Sequence, residues 1–378
     1  MIYRDFKGLQ ISNLGLGMMR LPTLNEDSSS VDEETVFRMV DTAMKNGINY
    51  FDTAWGYHKG MSEGVAGRAL GRYPRESYFL ADKFPGYDLD NMGKAQEIFE
   101  QQLKRCGTDY IDFYLLHNVY EFNIDSYLEE DRYHTVSYLL EQKRAGRIRH
   151  LGFSAHGSVE VMRRFLDSFG KDMEFCQVQL NWLDWTLQDA KSKVALLNEW
   201  NIPIWVMEPL QGGKLVNLSP ERAGKLEAQR PGASIPDWAF RFLQGIPGVT
   251  VILSGMSNEQ QLQENIRIFE TDRPLDAEEN AKLLSIAEDM TKDTSLPCTA
   301  CRYCTAYCPK GLNIPWLLRT YNEFQYTGAS YLISMSLKAQ PDNKKPSACI
   351  GCRSCEKVCP QKIKISEAIA KLAEATGT

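Results

Sequence analysis

What the chain lacks narrows its reading first. No apolar run approaches the roughly 18 residues of a membrane-crossing helix. The opening Met1-Ile2-Tyr3-Arg4-Asp5 lacks the charged, apolar, small-residue order of a secretion signal. The expectation is a cytoplasmic protein with no membrane partner. A basic surplus is also missing: the formal charge is -6, so nucleic acid is not expected as a partner. No early Gly-x-Gly-x-x-Gly opens a helix, which weakens a Rossmann reading. Cysteine is scarce over most of the chain. Cys106 and Cys176 stand alone before residue 297 and read as buried and inert, and the other eight are spaced for metal and not for a disulfide framework, which fits a reducing compartment.

What is present is a repeating alternation. With 378 residues and 43% hydrophobic content, the chain has room for a barrel of roughly 250 residues and a smaller domain. Met1 to Ile11 alternates around Lys7-Gly8 as a hairpin would, and Leu14 to Gly17 reads as the first barrel strand. Strand-like runs then end near Phe51, Lys83, His117, Ser154, Leu180, Met207 and Leu253. Segments with helical spacing separate them, including Val31 to Lys45, Ser62 to Leu70 and Val159 to Phe169. A long loop is expected between Met207 and Ile235. Eight strand-helix units imply parallel strands, and that number favours an α/β fold of the (β/α)8 TIM-barrel type. The expected domains are a barrel over residues 1–275 and a cysteine-bearing domain over residues 276–378.

A barrel of this kind carries its chemistry at the C-terminal ends of its strands. In Asn49-Tyr50-Phe51-Asp52-Thr53-Ala54-Trp55-Gly56-Tyr57, a carboxylate and a phenol lie on the exit from a buried strand. Lys83 and His117 end the next two strand-like runs, at intervals of 31 and 34 residues, about one strand-helix unit each. Asp52 alone could cap a helix and Tyr57 alone could pack on a surface. Together with Ser154 and His156, however, six polar residues converge on one face.

In these motifs the chain resembles the aldo-keto reductases over about residues 1 to 270: Phe-Asp-Thr-Ala-Trp-Gly-Tyr, Lys83 after its strand, and Tyr-Leu-Leu-His-Asn. The resemblance implies NADP- or NAD-dependent carbonyl reduction, with Asp52, Tyr57, Lys83 and His117 as the catalytic set. Tyr57 would donate the proton, and Lys83 beside it would draw the phenol's pKa towards working pH. Asp52 would hold Lys83, and His117 would orient the carbonyl oxygen. Gly17 and Met18 after the first strand would bind the cofactor, Ser154 and Gln177 would hold the nicotinamide carboxamide, and Met207 would stand at the ring's stacking position. Pro209, Gln211, Gly213 and Lys214 would run under the pyrophosphate, and Ser254, Gly255, Gln261, Glu264 and Asn265 would meet the adenosine end. Many relatives place Lys and Arg where Gly255 and Gln261 stand, and an aromatic where Met207 stands. The first departure leaves the choice between NADP and NAD open, and the second implies that the nicotinamide ring is held differently. His58 and His156 read more simply as hydrogen-bonded structural histidines.

Beyond Pro274-Leu275-Asp276 the pattern changes. Cys298-x2-Cys301-x2-Cys304-x3-Cys308-Pro309 recurs as Cys349-x2-Cys352-x2-Cys355-x3-Cys359-Pro360. This doubled run resembles bacterial ferredoxins with two [4Fe-4S] clusters, whose fourth cysteines cross over. The resemblance implies Cys298, Cys301, Cys304 and Cys359 around one cluster and Cys349, Cys352, Cys355 and Cys308 around the other. Structural zinc is the alternative. The long gap between the runs, and a helical pattern from Ile314 to Tyr326, suit a mainly helical ferredoxin-like domain. Its lysines are either a solvated face or a surface for a ferredoxin- or flavodoxin-like electron carrier.

Hydride transfer moves two electrons while a cubane usually passes one, and no flavin motif is evident. Three functions remain open on the sequence. One is an NAD(P)H-dependent reductase of a small-molecule carbonyl. The second is an iron-sulfur electron-transfer enzyme whose barrel binds another redox group, and the third is a nucleotide-sensing regulatory module.

Overall fold

A computed structural model describes residues 1–292, 296–298, 301–328 and 331–378. It divides into two compact units. One comprises Met1–Trp182 with Ala190–Lys282, and the other Leu283–Thr378 with Leu183–Asp189.

The first unit opens with a hairpin of β1 (Tyr3–Phe6) and β2 (Leu9–Ser12). Lys7 and Gly8 both have positive φ, 53° and 87°, as a tight two-residue hairpin turn requires. Eight strands follow: β3 (Leu14–Gly17), β4 (Tyr50–Asp52), β5 (Phe79–Phe84), β6 (Ile111–Val119), β7 (Ile148–Ala155), β8 (Cys176–Gln179), β9 (Ile204–Met207) and β10 (Val249–Ser254). They close into a barrel in sequence order, with β10 pairing β3, and every pairing in it is parallel. The expected TIM barrel is therefore the fold.

Phe6 of the hairpin belongs to a buried cluster with Tyr50, Ala81, Phe113, Trp205 and Val251, which come from five barrel strands, and with Phe175 just before β8. Its ring meets Phe113 at 5.5 Å and Trp205 at 5.2 Å. Burying such a side chain contributes about 2–3 kcal/mol.

The helices match their sequence patterns closely at Ser62–Leu70 and Val159–Phe169. Ser158 caps the latter by accepting from the Val161 amide. One expectation fails. The segment between β9 and Ile235 is not all loop: it holds a helix at Pro220–Gln229, with Ser219 as its cap and proline in its first turn. Both are ordinary helix-start signals, but the helix buries only Leu226, so its apolar stripe is too thin to show as periodicity.

The second unit is helical. Among the described residues it has helices at Ile314–Thr327 and Ile365–Thr376, which pack on each other, and short turns at Tyr303–Ala306 and Ser354–Lys357. Leu317, Leu318, Tyr321, Ile365, Ile369 and Leu372 make its core, with the buried Cys304 and Cys355 among them. Among the described residues no helix is long and apolar enough to cross a membrane.

Candidate active site

Strand alternation builds the site. Tyr50, Ala81, Leu115, Phe175, Trp205 and Leu253 all point into the barrel core. Two residues further along, on the same face of their strands, stand Asp52, Lys83, His117, Gln177 and Met207, and Gly255 follows just past the end of β10. On β3 and β7 the residues at the corresponding strand ends are Gly17 and Ser154, both buried. Seven strands thus contribute one of the residues singled out from the sequence to the C-terminal mouth, and the loop leaving β10 supplies Gly255.

Lys83 lies at the centre of the layer and is fully buried. Its Nζ donates to Asp52 Oδ1 at 2.6 Å, to the Thr53 carbonyl at 2.7 Å and to Tyr57 Oη at 3.3 Å. It also lies 4.8 Å from the centre of the Tyr57 ring. Burial works against the ammonium, but Asp52 and then Tyr57 outweigh it, and the Lys83 pKa ends above its ordinary value. Lys83 therefore stays charged. Burial also lifts Asp52 above the usual carboxylate range, with Lys83 offsetting part of the effect. For Tyr57 the expected direction is reversed. Burial raises the phenol above its ordinary value, Lys83 pulls it down only in part, and Asp52 and Glu208 add to the rise. Desolvation of a phenolate outweighs one nearby cation that is already committed to a carboxylate.

Tyr57 sits on a short turn, Tyr57–Gly60, in which His58 and Lys59 adopt φ of 52° and 53°. That left-handed backbone costs roughly 1–3 kcal/mol per residue unless neighbours hold it. His58 supplies the hold: its Nε2 accepts from the Leu21 amide at 3.0 Å, and its Nδ1 donates to the Ser28 carbonyl at 2.6 Å. Both ring nitrogens are used, so His58 is structural.

His117 packs edge-on to Tyr57 and Tyr87, with ring centres 6.2 and 5.2 Å away. Burial, Lys83 and His156 together keep its pKa well below the usual imidazole range, so the ring is neutral. Its Nδ1 is buried without a partner. Tyr87 escaped the sequence reading, although a side chain at Gly56 would strike its hydroxyl at 2.6 Å. Glycine in the Trp-Gly-Tyr motif makes room for it.

On the cofactor side, Ser154 Oγ accepts from the Asn118 amide at 2.8 Å, which leaves its own proton free to donate. Gln177 Oε1 and Asn118 Oδ1 are buried without partners. Gln177 Nε2 contacts Met207 Sδ at 3.6 Å. Two orphaned amide oxygens beside a hydroxyl match the donors and acceptor of a carboxamide. Asn118 was passed over as the residue after His117. A bulge in β6 between Leu116 and Val119, and a φ of 60° at Asn118, make its placement invisible to a period-2 pattern.

After β9, Pro209 and Gln211 are buried, whereas Gly213 and Lys214 are exposed. Gly212 and Gly213 have φ of 66° and 90°, which favours glycine. A side chain at Gly212 would meet the Arg20 guanidinium at 2.7 Å, and one at Gly255 would press on the Arg20 stem at 3.2 Å. Arg20 therefore lies between the two loops expected to follow the dinucleotide, 3.6 Å from Glu208. It ends the short turn Met18–Arg20, of which Met18 is buried. Gln261, Glu264 and Asn265 are not in the mouth layer but on the helix Glu259–Ile268. Gln261 Oε1 accepts from the Ser257 amide, and Asn265 Nδ2 donates to Ser254 Oγ. These contacts shape the β10 exit loop.

In the second unit the cysteines fall into two neighbourhoods. Cys308, Cys349, Cys352 and Cys355 line one pocket, with Leu312, Ile350 and Ile369. The Leu312 amide donates to Cys308 Sγ at 3.4 Å. Around Cys304, burial and then the proximity of Cys298, Cys301 and Cys359 push the thiol up. Among the described residues no three metal-binding side chains gather as at a single-ion site. Each neighbourhood nonetheless contains three cysteines of one run and the last of the other, the donor set that a thiolate-ligated cubane takes.

Comparison with known proteins agrees with this architecture. The model of the aldo/keto reductase family matches residues 13–288, and that of the 4Fe-4S dicluster domain matches residues 297–363. An uncharacterized oxidoreductase of Bacillus subtilis is 26% identical over 317 residues, covering 75% of this chain and 95% of its own length. An NADH-specific methylglyoxal reductase of Escherichia coli is 26% identical over 304 residues, covering 68% and 90%. The holo form of an aldo-keto reductase from Bacillus halodurans superposes with a TM-score of 0.62 at 26% identity, over 76% of this chain and 96% of that one. The family match, laid over a closed eight-stranded barrel, makes this chain an oxidoreductase of the aldo/keto reductase family, with a 4Fe-4S dicluster domain following the barrel in sequence.

Proposed function

We propose that the barrel, about residues 1–275, reduces an aldehyde or ketone with NADH or NADPH, and that residues 276–378 hold two [4Fe-4S] clusters. The observation that carries the reading is the buried Lys83 ammonium, within hydrogen-bond reach of both Asp52 and Tyr57. The nicotinamide would supply the hydride to the carbonyl carbon. Tyr57 would give its proton to the oxygen, yielding the alcohol and the oxidised dinucleotide. A phenol raised above its ordinary pKa is fully protonated at neutral pH, as a general acid must be. Lys83 would then act on the phenolate as it forms, and Asp52 would keep Lys83 in place. Neutral His117 would present its Nε2 proton to the carbonyl oxygen and align it; one such donor is worth about 3 kcal/mol in a dry site.

Ser154 and Gln177 would hold the carboxamide, joined by Asn118. The Gly212-Gly213 turn, with Lys214 and Arg20, would accept the pyrophosphate. The NADH-specific relative, and the absence of a Lys and Arg pair at Gly255 and Gln261, favour NADH over NADPH. The clusters would exchange single electrons with an external ferredoxin- or flavodoxin-like carrier.

Tyr57→Phe tests the barrel reading. The expected result is a fall in kcat of at least about a hundredfold on a panel of small aldehydes, with nucleotide binding retained. Full turnover in that variant would end the assignment.

A further inference from the structure

The doubled cysteine run repeats more than its sulfurs. Between its second and third cysteines each run carries an arginine, Arg302 and Arg353, and both adopt left-handed backbone, with φ of 62° and 58°. Glycine or asparagine would take that conformation at less strain. Each arginine precedes a short helical turn, Tyr303–Ala306 or Ser354–Lys357, and the two turns pack against each other. Each also stands next to an exposed cysteine, Cys301 or Cys352. The repetition places a charged residue in left-handed backbone beside the exposed cysteine of each run.

Around the second site the surface is specific. Lys310, Ile350, Cys352 and Arg353 all line the pocket of Cys308, Cys349 and Cys355. Ile350 is 61% exposed, and Cys352, Arg353 and Lys310 are exposed with it. Arg353 has one distant partner, Glu367, at 4.0 Å. Residues 296–378 hold eleven Lys and Arg against five Asp and Glu, in a chain whose net charge is -6; two oxidised clusters with their eight thiolates would add about -4, which leaves this segment weakly basic beside a strongly acidic remainder. An acidic protein is therefore repelled by the rest of the chain and meets local positive charge here, where Lys310 and Arg353 flank Cys352.

We infer that the face formed by Lys310, Ile350, Cys352 and Arg353 is the docking surface for a small acidic protein that carries one electron. An exposed apolar residue inside a basic rim is the anatomy of a weak, electrostatically steered encounter. A ligand sulfur at the surface gives a redox partner a thin barrier to the metal, a feature from which a polyanion or a non-redox protein gains nothing. The inference rests on the reading that these cysteines hold two clusters, and its test keeps the two apart.

The full-length chain is purified anaerobically, and iron and sulfide are assayed first. About eight of each per chain are expected; far fewer would sink the cluster reading itself. An isotope-labelled acidic flavodoxin is then titrated with this holoprotein and followed by NMR. Binding is expected at low salt, with a Kd that rises steeply with ionic strength. Lys310→Glu with Arg353→Glu should weaken it about tenfold or more without loss of iron. Lys338→Glu with Lys371→Glu, an equal change of charge away from the pocket, should leave it within about twofold. If the glutamate pair loses iron, Lys310→Gln with Arg353→Gln replaces it, with a weakening of at least about threefold expected. No shift perturbation at low salt, equal weakening by the two pairs, or equally tight binding of an acidic protein without a redox centre would overturn the inference.

Discussion

At the scale of single residues, the mouth of the barrel is a contest between burial and one cation. Lys83 remains charged because Asp52 and Tyr57 both face it, and Tyr57 stays protonated because one shared ammonium does not offset its desolvation. Lys83→Met removes the group that lowers the phenol's pKa. The Tyr57 titration, followed by ultraviolet absorbance, should then move further up, and reductase kcat should fall by at least about a hundredfold. Two neutral histidines weaken the fold on the acid side, against the raised Asp52, whose contribution has the opposite sign. Burial and then Lys193 lower His156 to about 4, and His117 is also well below its ordinary value. A base whose folded pKa is depressed binds fewer protons folded than unfolded. Its stability contribution is therefore complete above the unfolded value near 6.5 and is lost as pH falls towards 4. Chemical denaturation of the chain and of His156→Gln at a series of pH values isolates this contribution, which should decline across that window. His156→Gln should flatten the decline by on the order of 1–3 kcal/mol.

At the scale of elements, the strand ends do the positioning and the hairpin closes the other end. Because alternation has a period of two, the inward residues of the core layer fix which residue each strand presents at the mouth. That is why site and core could be read together from the same runs. Phe6 is the hairpin's contribution to that core, and Phe6→Ala should lower unfolding free energy by about 3–5 kcal/mol, measured by urea denaturation. The elements hardest to read were those whose burial is thin or whose backbone breaks period. The helix Pro220–Gln229 buries one leucine, and Asn118 sits in a bulge.

At the scale of the whole molecule, two units hold two kinds of chemistry, and each should be separable from the other. Cys352→Ser should lower bound iron from about eight to about four per chain while the barrel still binds dinucleotide, measured by metal analysis and nucleotide fluorescence titration. The sequence alone determined the eight-unit alternation, the order Asp52, Tyr57, Lys83, His117, and the doubled cysteine spacing, because periodicity and spacing are local properties that burial and ligation impose directly on the chain. Only the tertiary structure decided how these residues act on one another. That Tyr57 is raised and not lowered, that His58 is spent on two backbone groups, and that Arg20 lies between Gly212 and Gly255 all depend on distances between segments far apart in sequence. Desolvation and Coulomb interactions follow those distances, and one-dimensional spacing does not contain them.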